Sequence, residues 1–335
     1  MKFLCLFLLL VSTSFLTAQN FKLSKEIKVA GDLGWDYLSV DEAAQRLFVS
    51  HGNVVNVIDL KTDVTIATIS DTKGVHGIAI ANDLNKAFIT DGGDNAVTIV
   101  NLTTLELMEK VAIQGIKPDA VLYDKFSKKV FIYNAKSSDA TVLDAITNKI
   151  VKTIPLDGKP EFSATNSKGL IYVNIEDKNQ IKVIDAAKLE VIKTFDISPC
   201  DEPSGLAFDE VNDRLFSVCG NSMLVVTNAI TGKVVTTLPI GKGSDGVFFD
   251  AKRKLIFSSN GEGTLTVIKQ KDKDSYAVAE TVTTAKGART ITMSKATGVL
   301  YMPTSEFGKT PEVTAENPHP RATITPNSFK ILVVK

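Results

Sequence analysis

The chain has 335 residues, with 38 basic against 38 acidic side chains, 44% apolar residues and three cysteines. Balanced charge leaves no basic excess to neutralise phosphates, which argues against nucleic acid as a partner. Helix-period apolar patterns are missing along the chain, so an all-β class is expected.

The first expected element is a targeting segment over residues 1–18. Lys2 precedes an apolar run from Phe3 to Val11, then Ser12-Thr13-Ser14 and a cleavage site after Ala18. This order matches a secretion signal, and the run is short for a membrane span. A retained anchor is the alternative; Cys5 lies too early for a lipoprotein. Residues 19–335 then form one exported domain, periplasmic or extracellular, expected as a monomer. No later apolar stretch suggests a span after cleavage.

Within that domain one pattern occurs seven times. An aromatic sits in a short apolar run at Phe48, Phe88, Phe131, Tyr172, Phe216, Phe257 and Tyr301, with gaps of 40, 43, 41, 44, 41 and 44 residues. A period near forty filled with strand-like sequence predicts a seven-bladed β-propeller with four-stranded blades. The fifth repeat shows the grammar. Gly205–Phe208 reads as the inner strand, Arg214–Val218 as the second, Met223–Thr227 as the third and Val234–Leu238 as the outer strand. Asn228-Ala229-Ile230-Thr231-Gly232 makes the turn before the outer strand. The same turn recurs at Asp59, Asn101, Asp144 and Asp185. The sixth repeat departs through a longer connection, Lys269 to Ser275, expected as a protruding hairpin. The seventh runs out at Phe329–Val334 without a fourth strand. Phe21–Val29 is therefore expected to pair there and close the ring, removing the open edges.

The LFVS- and IYVN-like strands resemble those of the YncE-like, YVTN-repeat propeller family. So do the V-x-V-I-D strand ends at Val55–Asp59 and Ile181–Asp185, the T-G-K turn, and the Lys-Pro pairs at 117–118 and 159–160. The resemblance covers essentially the whole exported domain. It implies a fold strongly and a chemistry weakly, since many such proteins have no assigned reaction.

Candidate site residues follow from the repeat. The entries to the inner strands ring one mouth of the central channel: Asp36, His76, Asp119, Glu161, Ser204, Asp245 and Arg289, flanked by Trp35, Tyr37 and Glu202. The last repeat carries an insertion, Gly308 to Pro326, expected as a lid bearing His319 and Arg321. One imidazole among carboxylates suits a divalent metal (Ca, Mn or Zn), with His76, Asp119 and Asp245 as candidate ligands. The alternative is that these residues cap strands and line a solvated channel, and that Trp35 serves packing. Cys200 and Cys219 map to the same end of the fifth blade, so a disulfide is expected.

Catalytic residues are not assignable: G-x-S-x-G, H-E-x-x-H and phosphate-cradling loops are all missing. The expected function is a non-catalytic module that binds a small molecule or protein through the mouth. The alternative is a metal-dependent lactone hydrolase or lyase, or a metal-binding protein, using the same channel site.

Overall fold

A computed structural model describes residues 20–312, 314 and 322–335. The expected export segment, and His319 and Arg321 of the expected lid, lie outside those residues. The chain folds into seven four-stranded antiparallel sheets arranged as the blades of a ring. Six blades run in chain order from the inner to the outer strand. The seventh is composite. Its outer strand is Leu23–Lys28, paired antiparallel with Lys330–Val334 at the other end of the chain. Lys22 and Lys335 exchange backbone hydrogen bonds beside that pair, at 2.9 and 3.1 Å. The sixth blade carries the expected long hairpin, formed by Thr264–Asp272 and Ser275–Thr283. Among the described residues the only helical turns are Asn82–Leu84 and Glu176–Lys178, both 3-10.

The repeat explains the packing. The seven periodic aromatics all lie in second strands and all are buried, from fully for Phe48 to 6% exposed for Tyr301. They do not meet at the centre. The core divides into seven apolar clusters that bridge neighbouring blades, as Phe48, Val55 and Val57 of the first blade pack on Ile78, Ala87 and Ile89 of the second; the cluster between the third and fourth blades also takes in Tyr37 of the first. Burial of this kind is the main stabilising force, and concentrating it between blades leaves the ring centre to other side chains. The turns before the outer strands follow the sequence pattern. Asp59, Asn101, Asp144, Asp185 and Asn228 each accept backbone N–H bonds from residues two and three positions later.

A second periodic element sits at the last residue of the second strands. His51 bonds Asn56, Asp91 bonds Thr98, Asn134 bonds Thr141, and Asn260 bonds Thr266. In the fifth blade that position is Cys219, and a disulfide to Cys200 stands there instead.

Candidate functional site

The channel is walled by the inner strands, which begin at Trp35, Val75, Pro118, Pro160, Pro203 and Ser244, with a short seventh, Thr292–Met293. In six blades the candidate residue is the second of its strand: Asp36, His76, Asp119, Glu161, Ser204 and Asp245. Pairing with the second strand slips at this point in all six blades. A bulge of this kind turns a side chain out of the pleat. The residue just before the inner strand is left-handed in four blades, at Gly74, Lys117, Glu202 and Gly243, with φ between 50° and 66°.

Backbone straps from neighbouring blades hold these positions. The Thr290 hydroxyl donates to the Asp36 carbonyl at 2.6 Å, and Thr90 to the Asp119 carbonyl at 2.5 Å. Asn174 donates to the Ser204 carbonyl at 2.9 Å, Ser204 to Ser244 at 3.3 Å, and Ser259 to the Arg289 carbonyl at 2.5 Å. Each strap crosses from one blade to the next, so the mouth is fixed by the ring as a whole.

The side chains form a chain of charges through five consecutive blades. Arg289 Nε donates to Asp245 Oδ2 at 2.8 Å, and its Nη2 lies 3.6 Å from Asp36 Oδ1. His76 Nδ1–H donates to Asp36 Oδ2 at 2.6 Å, and Nδ1 lies 3.6 Å from Asp119 Oδ1. The fourth blade contributes a separate group, in which Lys159 bridges Glu161, at 2.9 Å, and Glu176. The structure thus brings His76 and Asp119 together with Asp36, whereas Asp245 pairs with Arg289. Among the described residues, Asp36, His76 and Asp119 are the one set of three such side chains whose donor atoms all lie within 4.8 Å of one another.

Burial makes these charges costly. Glu161 is 8% exposed, and burial, with the nearby Asp119 charge, pushes its carboxyl up to about 8 despite Lys159. Burial lifts Asp245 to about 6 against the opposing pull of Arg289. Asp119 is also raised by burial, with His76 the main opposing charge. Burial disfavours the imidazolium of His76, but the Asp36 hydrogen bond and the Asp119 and Asp36 charges outweigh it and raise its pKa. Asp119 is 8% exposed and its carboxylate takes no hydrogen bond from the described residues.

Tyr37 forms the floor. Its ring reaches Phe162 of the fourth blade, with centroids 4.5 Å apart. Its hydroxyl lies in the field of Asp119, Glu161, Asp36 and Asp245, and burial is the largest cause of its raised pKa. A cavity of about 160 Å³ continues beside this pair, lined by residues that include Ser39, Gly77, Ala120 and Ser163.

The flanking candidates lie apart from this group. Trp35 packs on Phe307 and Phe329, with centroids 5.9 and 5.6 Å away. Glu202 is exposed, with its carboxylate against Gly220 in its own blade. Around the insertion, Phe307 bridges Ile324, and Gly308 N–H donates to the Thr323 carbonyl. Sequence reasoning found the entry residues and Tyr37 beside them, but not the straps. The hydroxyl residues in the second strands were visible, though only topology shows which neighbouring backbone they reach.

No family model matches the chain. It is 25% identical over 168 residues to YncE of Salmonella typhi, covering 48% of this chain and 47% of that protein. It is 24% identical over the same span to YncE of Salmonella typhimurium. The chain spans about half the length of these curated relatives. Among solved structures, the hydrazine synthase of Kuenenia stuttgartiensis superposes with a TM-score of 0.70 at 14% identity, covering 89% of this chain and 97% of that one. The RRP9 WD40 repeats superpose at 0.77 with 9% identity, covering 93% and 97%. At such identities the structural likeness speaks for fold alone. With the seven blades above, the chain is a seven-bladed β-propeller that is similar to YncE over about half of its length.

Proposed function

We propose that this propeller is a binding module whose channel mouth captures a small, positively charged ligand. The observation that carries this is the excess of carboxylate at the mouth. Asp36, Asp119, Glu161, Asp245 and Glu176 face Arg289, Lys159, the titratable His76 and Lys117, whose charge reaches His76 and Asp119. A cation placed among them would offset charges that burial otherwise disfavours. The straps keep the ring fixed, so little ordering would be needed on binding. The Tyr37–Phe162 floor offers an aromatic face to any organic cation. The disulfide supports an oxidising compartment, and with it the export of the chain through residues 1–18.

The test is calorimetric titration of chelator-treated protein with Ca²⁺, Mn²⁺, Zn²⁺ and the diamine putrescine. At least one is expected to bind one-to-one and raise the melting temperature, and Asp119→Asn is expected to weaken it about tenfold. Failure of all four to bind would overturn the proposal.

A metal-dependent lactone hydrolase or lyase is the second reading. It is favoured by the 2.6 Å contact between His76 and Asp36. That bond fixes the tautomer with Nε2 as proton acceptor, the arrangement of a general base. Lactone turnover that is lost in His76→Gln would support it.

A further inference from the structure

We infer that Asp36, His76 and Asp119 form a site for a divalent first-row transition metal, which rests on the proposal above and specifies its ligand. The three residues come from the first, second and third blades and occupy the same register on adjacent inner strands. Metal–oxygen and metal–nitrogen bonds of about 2.1 Å in a tetrahedron place neighbouring donors about 3.4 Å apart. His76 Nδ1 and Asp119 Oδ1 already stand 3.6 Å apart. The 2.6 Å contact of His76 with Asp36 is a hydrogen bond. A metal would take the place of its proton, and the Asp36 carboxylate would retreat by less than about 1 Å.

Two further observations point to a ligand. The Asp119 side chain is only 12% exposed, and its carboxylate faces His76 Nδ1 at 3.6 Å without a hydrogen bond from the described residues. A buried carboxylate is normally hydrogen-bonded or bound to a metal. Two glycines also let the strands that carry the ligands approach closely. A Cβ at Gly77 would meet the Asp119 carbonyl at 2.7 Å, and one at Gly92 would meet the His76 ring at 2.9 Å. The backbone holding the ligands is rigid: Thr290 and Thr90 fix the Asp36 and Asp119 carbonyls, and Gly77 N–H donates to Thr90 Oγ1 at 2.7 Å.

The donor set selects the metal class. Calcium takes six to eight oxygens, and this group offers one nitrogen and two carboxylates. An imidazole with carboxylates suits Mn²⁺, Co²⁺ or Zn²⁺. Three protein ligands leave at least one coordination position open towards the channel.

The experiment adds Co²⁺ as its chloride to chelator-treated protein and records the visible absorption, with Zn²⁺ and Mn²⁺ competing. One equivalent of Co²⁺ is expected to give a tetrahedral or five-coordinate spectrum that Zn²⁺ displaces. His76→Gln and Asp119→Asn should each weaken Co²⁺ binding about tenfold or more, while Asp185→Asn, in the exposed turn before the outer strand of the fourth blade, should leave it unchanged. The spectrum of the unsubstituted protein reports its ligands even where a variant folds poorly. An octahedral aquo spectrum, or binding unaffected by both substitutions, would overturn the metal site. Putrescine or Ca²⁺ bound at the mouth in that case would leave the broader cation reading standing. No binding by any of these would remove both.

Discussion

Asp91 shows how a single buried charge sets a pH dependence. It is fully buried, Thr98 donates to one oxygen at 2.6 Å, and the other oxygen has no partner. Burial pushes its carboxyl up to about 7, opposed by Thr98 and Lys110 and reinforced by Asp94 and Asp71. A raised folded-state pKa favours the protonated form. Its contribution to stability is present below the ordinary carboxylate range, near 4, and is lost as pH rises through about 7. Asn occupies the equivalent place in the third and sixth blades, where Asn134 and Asn260 donate to Thr141 and Thr266. Asp91→Asn is therefore expected to stabilise the protein by about 1–2 kcal/mol at pH 8 and by little at pH 5. Lys110 would keep its 2.8 Å bond to Asp94. Thermal unfolding at the two pH values measures this, and a variant less stable at pH 8 would refute it. At this scale the sequence was only partly legible. It placed Asp36, His76, Asp119 and Asp245 at one mouth, but grouped Asp245 with His76 as metal ligands. Consecutive repeats are neighbours in a ring. Residues 36, 76 and 119 thus fall on adjacent blades, while Asp245 on the sixth blade stands beside Arg289 on the seventh.

The elements of each blade repeat a backbone plan while their side chains diverge. The blades spend the end of the second strand in different ways, although the third and sixth both place an Asn there, and the fifth uses it for the Cys200–Cys219 bond. That bond closes a loop with a sequence separation of 19 residues, for which chain-entropy arguments give about 3 kcal/mol. Replacing both cysteines by serine should lower stability by about 2–4 kcal/mol. Denatured protein lacking residues 1–18 should show no free thiol, and two titratable thiols would refute the bond. The strand pattern, the recurring turns and this pairing were all readable, because short-range periodicity and turn chemistry encode them. The slip at the start of the inner strand in six blades was not. It depends on pairing between strands, and no residue type at the entry positions announces it.

The whole molecule depends on joining its two ends. Phe21, Ile27 and Val29 are each no more than 5% exposed, against the last two blades and the first. Each buried apolar side chain of this size stabilises by about 1.5–3 kcal/mol, so deletion of residues 20–29 should cost about 5 kcal/mol and expose an edge strand. A soluble deletion variant with an unchanged melting temperature would contradict ring closure. Closure also completes the mouth, because the strap from Thr290 to Asp36 joins the seventh blade to the first. The most direct measurement is an anomalous difference map from crystals soaked in MnCl₂. A peak about 2.1–2.3 Å from His76 and both carboxylates is predicted. A map without density between Asp36, His76 and Asp119, from a soak that places manganese elsewhere, would contradict it.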